Sequence, residues 1–273
     1  MIDEASVRQV KEYGDAVVKS CSSFWFAEEP WLDLHMFQSG HRRYDQEHLG
    51  VWDDAAPKEV FYGEDNWRYA EHDRSLSVRK PTLDGEPSYE GIPQGLHDPR
   101  EPYWEEWDVR RYAYWSVFAG SAGHTYGSNA VMQFYREGDP RTAAAYGVRE
   151  GWQEALHHPG AAQLGHLRRL MESVDFTRGE PCERLLLYGR KERYHRTAVF
   201  AGESFVFCYT YCGDAFLLDL TAYRGKRMAA YWTDPRSGSR SFIGIVTGTD
   251  RMLFAPPRRR GASNDWVLEL REE

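Results

Sequence analysis

The chain has 273 residues, with 34 Lys and Arg against 42 Asp and Glu, and a formal net charge of −8. That length fits one large domain or a medium domain followed by a small one, and an acidic balance without any Lys/Arg run argues against nucleic acid or an anionic membrane as the main partner. With 41% hydrophobic residues the composition is that of a folded protein, and no window approaches the roughly eighteen consecutive apolar residues of a membrane-spanning helix.

Residues 1–14 form an amphipathic helical pattern through Val7, Val10 and Tyr13 that stops at Gly14. They lack the basic start and apolar run of a signal peptide, so the chain as it stands reads as cytoplasmic. Short strand-like runs follow at 16–21, 32–40, 79–87 and 122–134. Between the last two, Val109, Tyr112, Ala113, Ser116 and Val117 recur at helical spacing, with Asp108 expected as N-cap and Gly120 as the stop. A second helical pattern places Leu164, Leu167 and Met171 on one face. Strands alternating with helices imply a parallel sheet built from βα units.

From about residue 183 the period changes to two. The segments ERLLLYG, RTAVFAG, SFVFCYTYCG, AFLLDLTAY, RMAAYW, SFIGIVTG, RMLFAPP and DWVLELRE are separated by turn signals. Phe205, Phe207, Tyr209 and Tyr211 alternate onto one face. The expected fold class is therefore α/β plus all-β, with an α/β domain at 1–178 and a small antiparallel β-sandwich at 179–273 packed rigidly against it. Cys21, Cys182, Cys208 and Cys212 read as free thiols, because the last two, four apart in a strand, would lie about 13 Å from each other.

The densest polar constellation is KPTLDGEPSYEG at 80–91. A strand delivers Asp84 and then Glu86, whose backbone Gly85 and Pro87 restrict, and the chain turns through Tyr89 to Glu90. Carboxylates at the carboxyl ends of parallel strands are where α/β barrels hold catalytic groups. The competing reading makes Asp84 and Glu90 ordinary loop charges and Glu86 a cap. Neighbouring strand ends bring Gln38, Ser39 and His41, and His124, Tyr126, Asn129 and Gln133, which are hydrogen-bonding groups suited to sugar hydroxyls. Taken alone, His124 reads as a core histidine. Ten Trp, seventeen Tyr and thirteen Phe suit either stacking on sugar rings or a packed core. No HxxxH or CxxC pair occurs, so no metal is expected, and the absence of GxSxG, Walker and GxGxxG patterns removes serine hydrolases, nucleotide kinases and dinucleotide enzymes. No cofactor is implied.

The runs QSGH (38–41), KPTLDGEPSYEGIP (80–93), VRRYAYWSVFAGSAGHTYGSNAVMQF (109–134) and HPGAAQLGHLRRLMES (158–173) resemble apiosidase-like glycoside hydrolases. AAYWTDPRSG (229–238) through NDWVLEL (264–270) resembles the β-sandwich that follows the barrel in that family, which carries a collagen-binding label. The resemblance implies a (β/α)₈ TIM barrel and retaining cleavage of glycosidic bonds in plant-type polysaccharide side chains, and it implies that relatives are exported. It makes Glu86 the nucleophile at the end of strand seven. Gln38, His41, Tyr89, Glu90, His124 and Tyr126 become substrate-binding or supporting groups, with Trp115 or Trp25 as a stacking wall.

The family's acid/base comes from an earlier strand. On this reading the sequence supplies strands five to eight only, so that group has no counterpart. Such a partial barrel exposes strand edges and interior side chains. A partner chain or a second copy is expected to cover them, and the inserted stretch 44–75 offers Trp52 or Trp67 as cover and Asp53, Asp54, Glu64 or Asp65 as a replacement acid. A non-catalytic carbohydrate-binding module and one subunit of a split glycosidase are the alternatives.

Overall fold

The computed structural model describes residues 21–41, 43–44, 64–142, 144–189, 192–247, 250–257 and 263–273. The N-terminal helical pattern, the strand at 16–20, Trp52, Asp53 and Asp54 lie outside these residues. Helices α1 (Ser22–Phe26), α2 (Trp67–Ser75), α3 (Glu106–Phe118), α4 (Asn129–Gln133), α5 (Trp152–Ala155) and α6 (Pro159–Glu172) accompany three short strands, β1 (His35–Phe37), β2 (Thr82–Asp84) and β3 (Gly123–His124). The strands pair in parallel in the order β1-β2-β3, with Phe37 opposite Asp84 and Asp84 opposite His124.

Alternation along β1 sets the two faces of this sheet. His35 and Phe37 are buried, and the Phe37 ring stacks on Tyr69 of α2 at 5.2 Å. Met36, on the opposite face, is 50% exposed. One face is thus covered by helices and the other is open among the described residues.

The helix α3 forms where its spacing predicts, but Glu105 rather than Asp108 is the N-cap. Asp108 sits at N3 and accepts the Glu105 N–H at 3.2 Å, completing a capping box. Gly120 follows the helix with φ +97, a conformation that suits a residue without Cβ. The expected strand 122–134 is only partly one. Beyond His124 the chain leaves the sheet, and Asn129–Gln133 folds as α4. Asn129 donates to the carbonyls of Gly91 and Tyr146 at 2.8 Å each, an anchorage that takes the segment off the sheet, and Ala130, Met132 and Gln133 are good helix formers.

The eight period-two segments become β5 (Leu186–Tyr188), β6 (Thr197–Ala201), β7 (Phe205–Thr210), β8 (Phe216–Asp219), β9 (Arg227–Thr233), β10 (Arg240–Thr247), β11 (Arg251–Phe254) and β12 (Trp266–Glu272), preceded by β4 (Glu180–Pro181). They form two antiparallel sheets in the orders β10-β9-β12-β7-β6-β4 and β11-β8-β5. Val206, Cys208, Trp232 and Leu268 of the larger sheet share an apolar core with Phe216, Leu218 and Phe254 of the smaller. The opposite face of β7 carries Phe205, Phe207 and Tyr209, and it packs against α3 and α6. There Tyr114 stacks flat on Tyr209 with ring centres 4.4 Å apart. Below this aromatic layer Arg110 makes a buried two-pronged ion pair with Asp265, at 2.9 and 3.0 Å. The aromatic face of β7 is therefore an internal interface. All four cysteines are buried, and none is in a disulfide. No helix among the described residues is long and apolar enough to cross a membrane.

Candidate active site

The site is built at the carboxyl end of β2. Asp84, the last residue of that strand, is fully buried and accepts Ser39 Oγ at 2.8 and 3.0 Å and Asn66 Nδ2 at 3.0 Å. His124 Nδ1 stands 3.5 Å from the same carboxylate. Asp84 thereby ties the ends of all three parallel strands to the segment before α2, which an ordinary loop charge would not do. Hydrogen bonds then fix the next two residues. Gly85 N–H donates to Phe37 O at 2.9 Å, Gly40 N–H donates to Glu86 O at 2.9 Å, and the Thr125 hydroxyl donates to Gly85 O at 2.8 Å. With its backbone held on both sides, Glu86 has a defined position and only its side chain is free to turn.

The Glu86 side chain is 44% exposed, and its Oε1 lies 3.7 Å from Nε2 of the nearly buried His41. The His41 ring meets Tyr89 edge to face at 5.2 Å. Tyr89 lies flat over Gly127, where a Cβ would fall 2.1 Å from the ring. Burial, and then the negative charge of Glu86, push the Tyr89 phenol above its ordinary range. Gln38 is exposed beside Gly40. Glu86, His41, Tyr89 and Gln38 are thus grouped around one open rim.

The remaining candidates do other work. Glu90 is buried and accepts the Tyr126 hydroxyl at 2.8 Å, while the first turn of α6 presses on it, so that a Cβ on Gly160 would stand 2.1 Å from its Oε2. Burial raises the Glu90 carboxyl, against the lowering effect of the Tyr126 bond and of His158. Tyr126 is therefore spent on a protein carboxylate. His124 is engaged by Ser116 at 3.0 Å and by Asp84, and its side chain is only 3% exposed, so it is a core anchor. Trp115 cannot be a stacking wall, because it lies wholly inside the core on α3 with the Arg111 guanidinium over its ring. Trp25 remains exposed on α1.

Nor are Glu64 and Asp65 placed as spare acids. Glu64 is buried and bonds Arg111 Nη1 at 2.5 Å and the Tyr194 hydroxyl at 2.9 Å. Asp65 accepts Tyr44 at 2.5 Å and the Trp67 indole at 3.2 Å, beside Arg68 at 3.3 Å. Sequence reasoning missed Asn66, whose role depends on a fold-back that no local pattern encodes. It also missed Arg111, which stands 4.9 to 5.1 Å from the ring centres of Tyr112, Trp115, Tyr194 and Tyr211. The signal for it was a pair of arginines, Arg110 and Arg111, inside an otherwise apolar helical pattern. Among the described residues no group of His, Cys, Asp or Glu could hold a metal ion.

Residues 3–178 match the family described as "Apiosidase-like, catalytic domain", and residues 181–271 match the "Putative collagen-binding domain of a collagenase". A solved glycoside hydrolase aligns with a TM-score of 0.85 at 39% identity, over 93% of this chain and 56% of that one. A glycoside hydrolase family 5 protein from Bacteroides vulgatus ATCC 8482 aligns with the same score and identity, over 93% of this chain and 54% of its own. The chain thus spans a little over half the length of these two structures. No curated protein matches it.

Proposed function

We propose that this chain, which belongs to the apiosidase-like family of glycoside hydrolases, takes part in retaining cleavage of glycosidic bonds in plant-type polysaccharide side chains, with Glu86 as nucleophile. The observation that carries this reading is the half-exposed Glu86 carboxylate at the end of β2, with His41 Nε2 at 3.7 Å. Glu86 would attack the anomeric carbon and form a glycosyl-enzyme that water then opens. His41 and Tyr89 would hold the carboxylate toward the open rim, and Gln38 would bind a hydroxyl. The short parallel sheet is read as strands six to eight of a (β/α)₈ barrel within residues 1–178.

Retaining chemistry needs a second carboxyl about 5–5.5 Å from the nucleophile to protonate the leaving oxygen. Glu90, Glu64 and Asp65 are each engaged elsewhere. The acid/base is therefore assigned to polypeptide outside the described residues, either the inserted stretch with Asp53 and Asp54 or another chain that also covers the open face bearing Met36. The same engagement of the nearby carboxylates supports a second reading, a carbohydrate-binding module without turnover.

The test is hydrolysis of synthetic aryl glycosides by the purified chain and its Glu86→Gln and Glu86→Ala variants, with light scattering to give the oligomeric state. Either replacement is expected to lower turnover by about 10³-fold or more. Azide should rescue Glu86→Ala and yield a glycosyl azide of inverted configuration. Wild-type turnover unchanged by both replacements would refute the assignment. Glycan binding retained in Glu86→Gln, with no hydrolysis by the wild type in any assembly, would establish the non-catalytic reading.

A further inference from the structure

A hollow of about 540 Å³ lies where the start of α3 meets the antiparallel domain, lined by none of Glu86, His41, Tyr89 and Gln38. Its volume is within the roughly 300–1,000 Å³ of small-molecule sites. Trp107 and Tyr103 come from one side, Tyr194 and Tyr211 from the other, so the hollow exists only when the two parts of the chain are packed. Trp107 is half-buried and Tyr194 is 37% exposed, which leaves ring surface available to a ligand.

The polar groups around these rings are held in place. The Arg149 guanidinium lies over Tyr103, 3.6 Å from the ring centre, and its Nη2 is 3.8 Å from Glu105. Tyr194 is oriented by its hydroxyl bond to Glu64. Gln94 completes the rim, its backbone N–H bonded to Pro102 O at 2.7 Å. Charge is compensated locally, since Arg149 faces Glu105 and Asp108 faces Arg111 at 3.4 Å. A charged ligand therefore meets no uncompensated opposite charge here. A neutral ligand with apolar faces and many hydroxyls would stack on the rings and hydrogen-bond around them without disturbing either pair.

We propose that this hollow is a binding site for a neutral saccharide unit, with Trp107 as the stacking anchor, Tyr194 as the opposing wall, and Gln94, Glu105 and Arg149 as hydroxyl partners. The site does not depend on the Glu86 assignment, because it would hold a sugar at the junction of the two domains without cleaving it.

The experiment is equilibrium titration of the full chain carrying Glu86→Gln, followed by tryptophan fluorescence and calorimetry. The probes are neutral gluco-, xylo- and galacto-oligosaccharides, with an oligogalacturonate as the anionic contrast. At least one neutral oligosaccharide is expected to bind. Trp107→Ala should weaken that binding about tenfold or more, and Gln94→Ala, a substitution on the rim, should weaken it several-fold with an unchanged melting temperature. His41→Ala should leave this binding in place, which separates the hollow from the Glu86 rim. No binding of any neutral oligosaccharide, tighter binding of the anionic one, or indifference to both Trp107→Ala and Gln94→Ala would overturn the proposal. Failure of the aryl glycoside assay with Trp107-sensitive binding intact would refute only the nucleophile assignment.

Discussion

Replacing Asp265 by Ala tests how the two parts of the chain are held together. The side chains of Arg110 and Asp265 are 2% and 0% exposed, so neither charge is solvated. Asp265 accepts Arg110 Nε and Nη2 at 2.9 and 3.0 Å and the Tyr209 hydroxyl at 3.2 Å. Removing the carboxylate leaves Arg110 with the neutral amide oxygen of Gln163 as its remaining side-chain partner. A buried guanidinium stripped of its counter-ion costs about 3–5 kcal/mol, a large fraction of the roughly 5–15 kcal/mol that stabilises a typical domain. The double variant Arg110→Met with Asp265→Leu removes both charges and refills the volume, and such replacements are often neutral or stabilising. Urea unfolding followed by fluorescence and circular dichroism on the wild type, Arg110→Met, Asp265→Leu and the double variant closes the cycle, with Asp265→Ala measured beside them. The reasoning fails if Asp265→Ala costs less than about 1 kcal/mol, or if the double variant loses as much as the two single variants together.

Two further outcomes follow from buried carboxylates near the site. Burial lifts the Asp108 carboxyl to about 6, since Glu64 holds the closer bond to Arg111 and leaves Asp108 at 3.4 Å. Between about pH 4 and that value the folded chain binds a proton that the unfolded chain has lost, so stability falls as pH rises through this window, by on the order of 3 kcal/mol, and is level above it. Asp108→Asn keeps an acceptor for the Glu105 N–H and should make that slope shallower when unfolding is compared at pH 4 and pH 7.5, the remainder coming from other carboxyls raised by burial such as Glu90. Gly160→Ala places a methyl group 2.1 Å from Glu90 Oε2 and 2.8 Å from Val109 Cγ2. Both neighbours are buried, so the variant is expected to lose about 1–3 kcal/mol. A melting temperature equal to the wild type's would show that the start of α6 moves freely away from Glu90.

The antiparallel half was legible in the sequence because its signals are local. A strand with one face on a core alternates at period two, and the turns between strands announce themselves. SFVFCYTYCG shows both the power of that signal and its reach. The alternation correctly puts Phe205, Phe207 and Tyr209 on one face, but nothing in the decapeptide says that the face meets Tyr114 on α3. The parallel half was harder. Its strands are two or three residues long, too short for a period, and the same Gly-and-polar texture in AGHTYGSNAVMQF covers a strand, a turn and a helix. What separates them is where Asn129 finds its acceptors, 38 and 17 residues away along the chain.

The sequence by itself determined the order of strands along the antiparallel half, the helical period of α3 and α6, the change to period two near residue 183, and the Gly85–Pro87 frame around Glu86. It also carried the family pattern on which the proposal for Glu86 rests, because a short motif keeps its residues adjacent in the chain. Only the tertiary structure decided which polar groups face an open rim. Asp84, Glu86 and Glu90 are two and four residues apart in one segment, and yet Asp84 and Glu90 are buried while the Glu86 side chain is 44% exposed. Their environments come from Ser39, Asn66, Tyr126 and Gly160. A side chain's solvation depends on what the rest of the chain brings beside it, and three-dimensional proximity of that kind leaves no trace in local spacing.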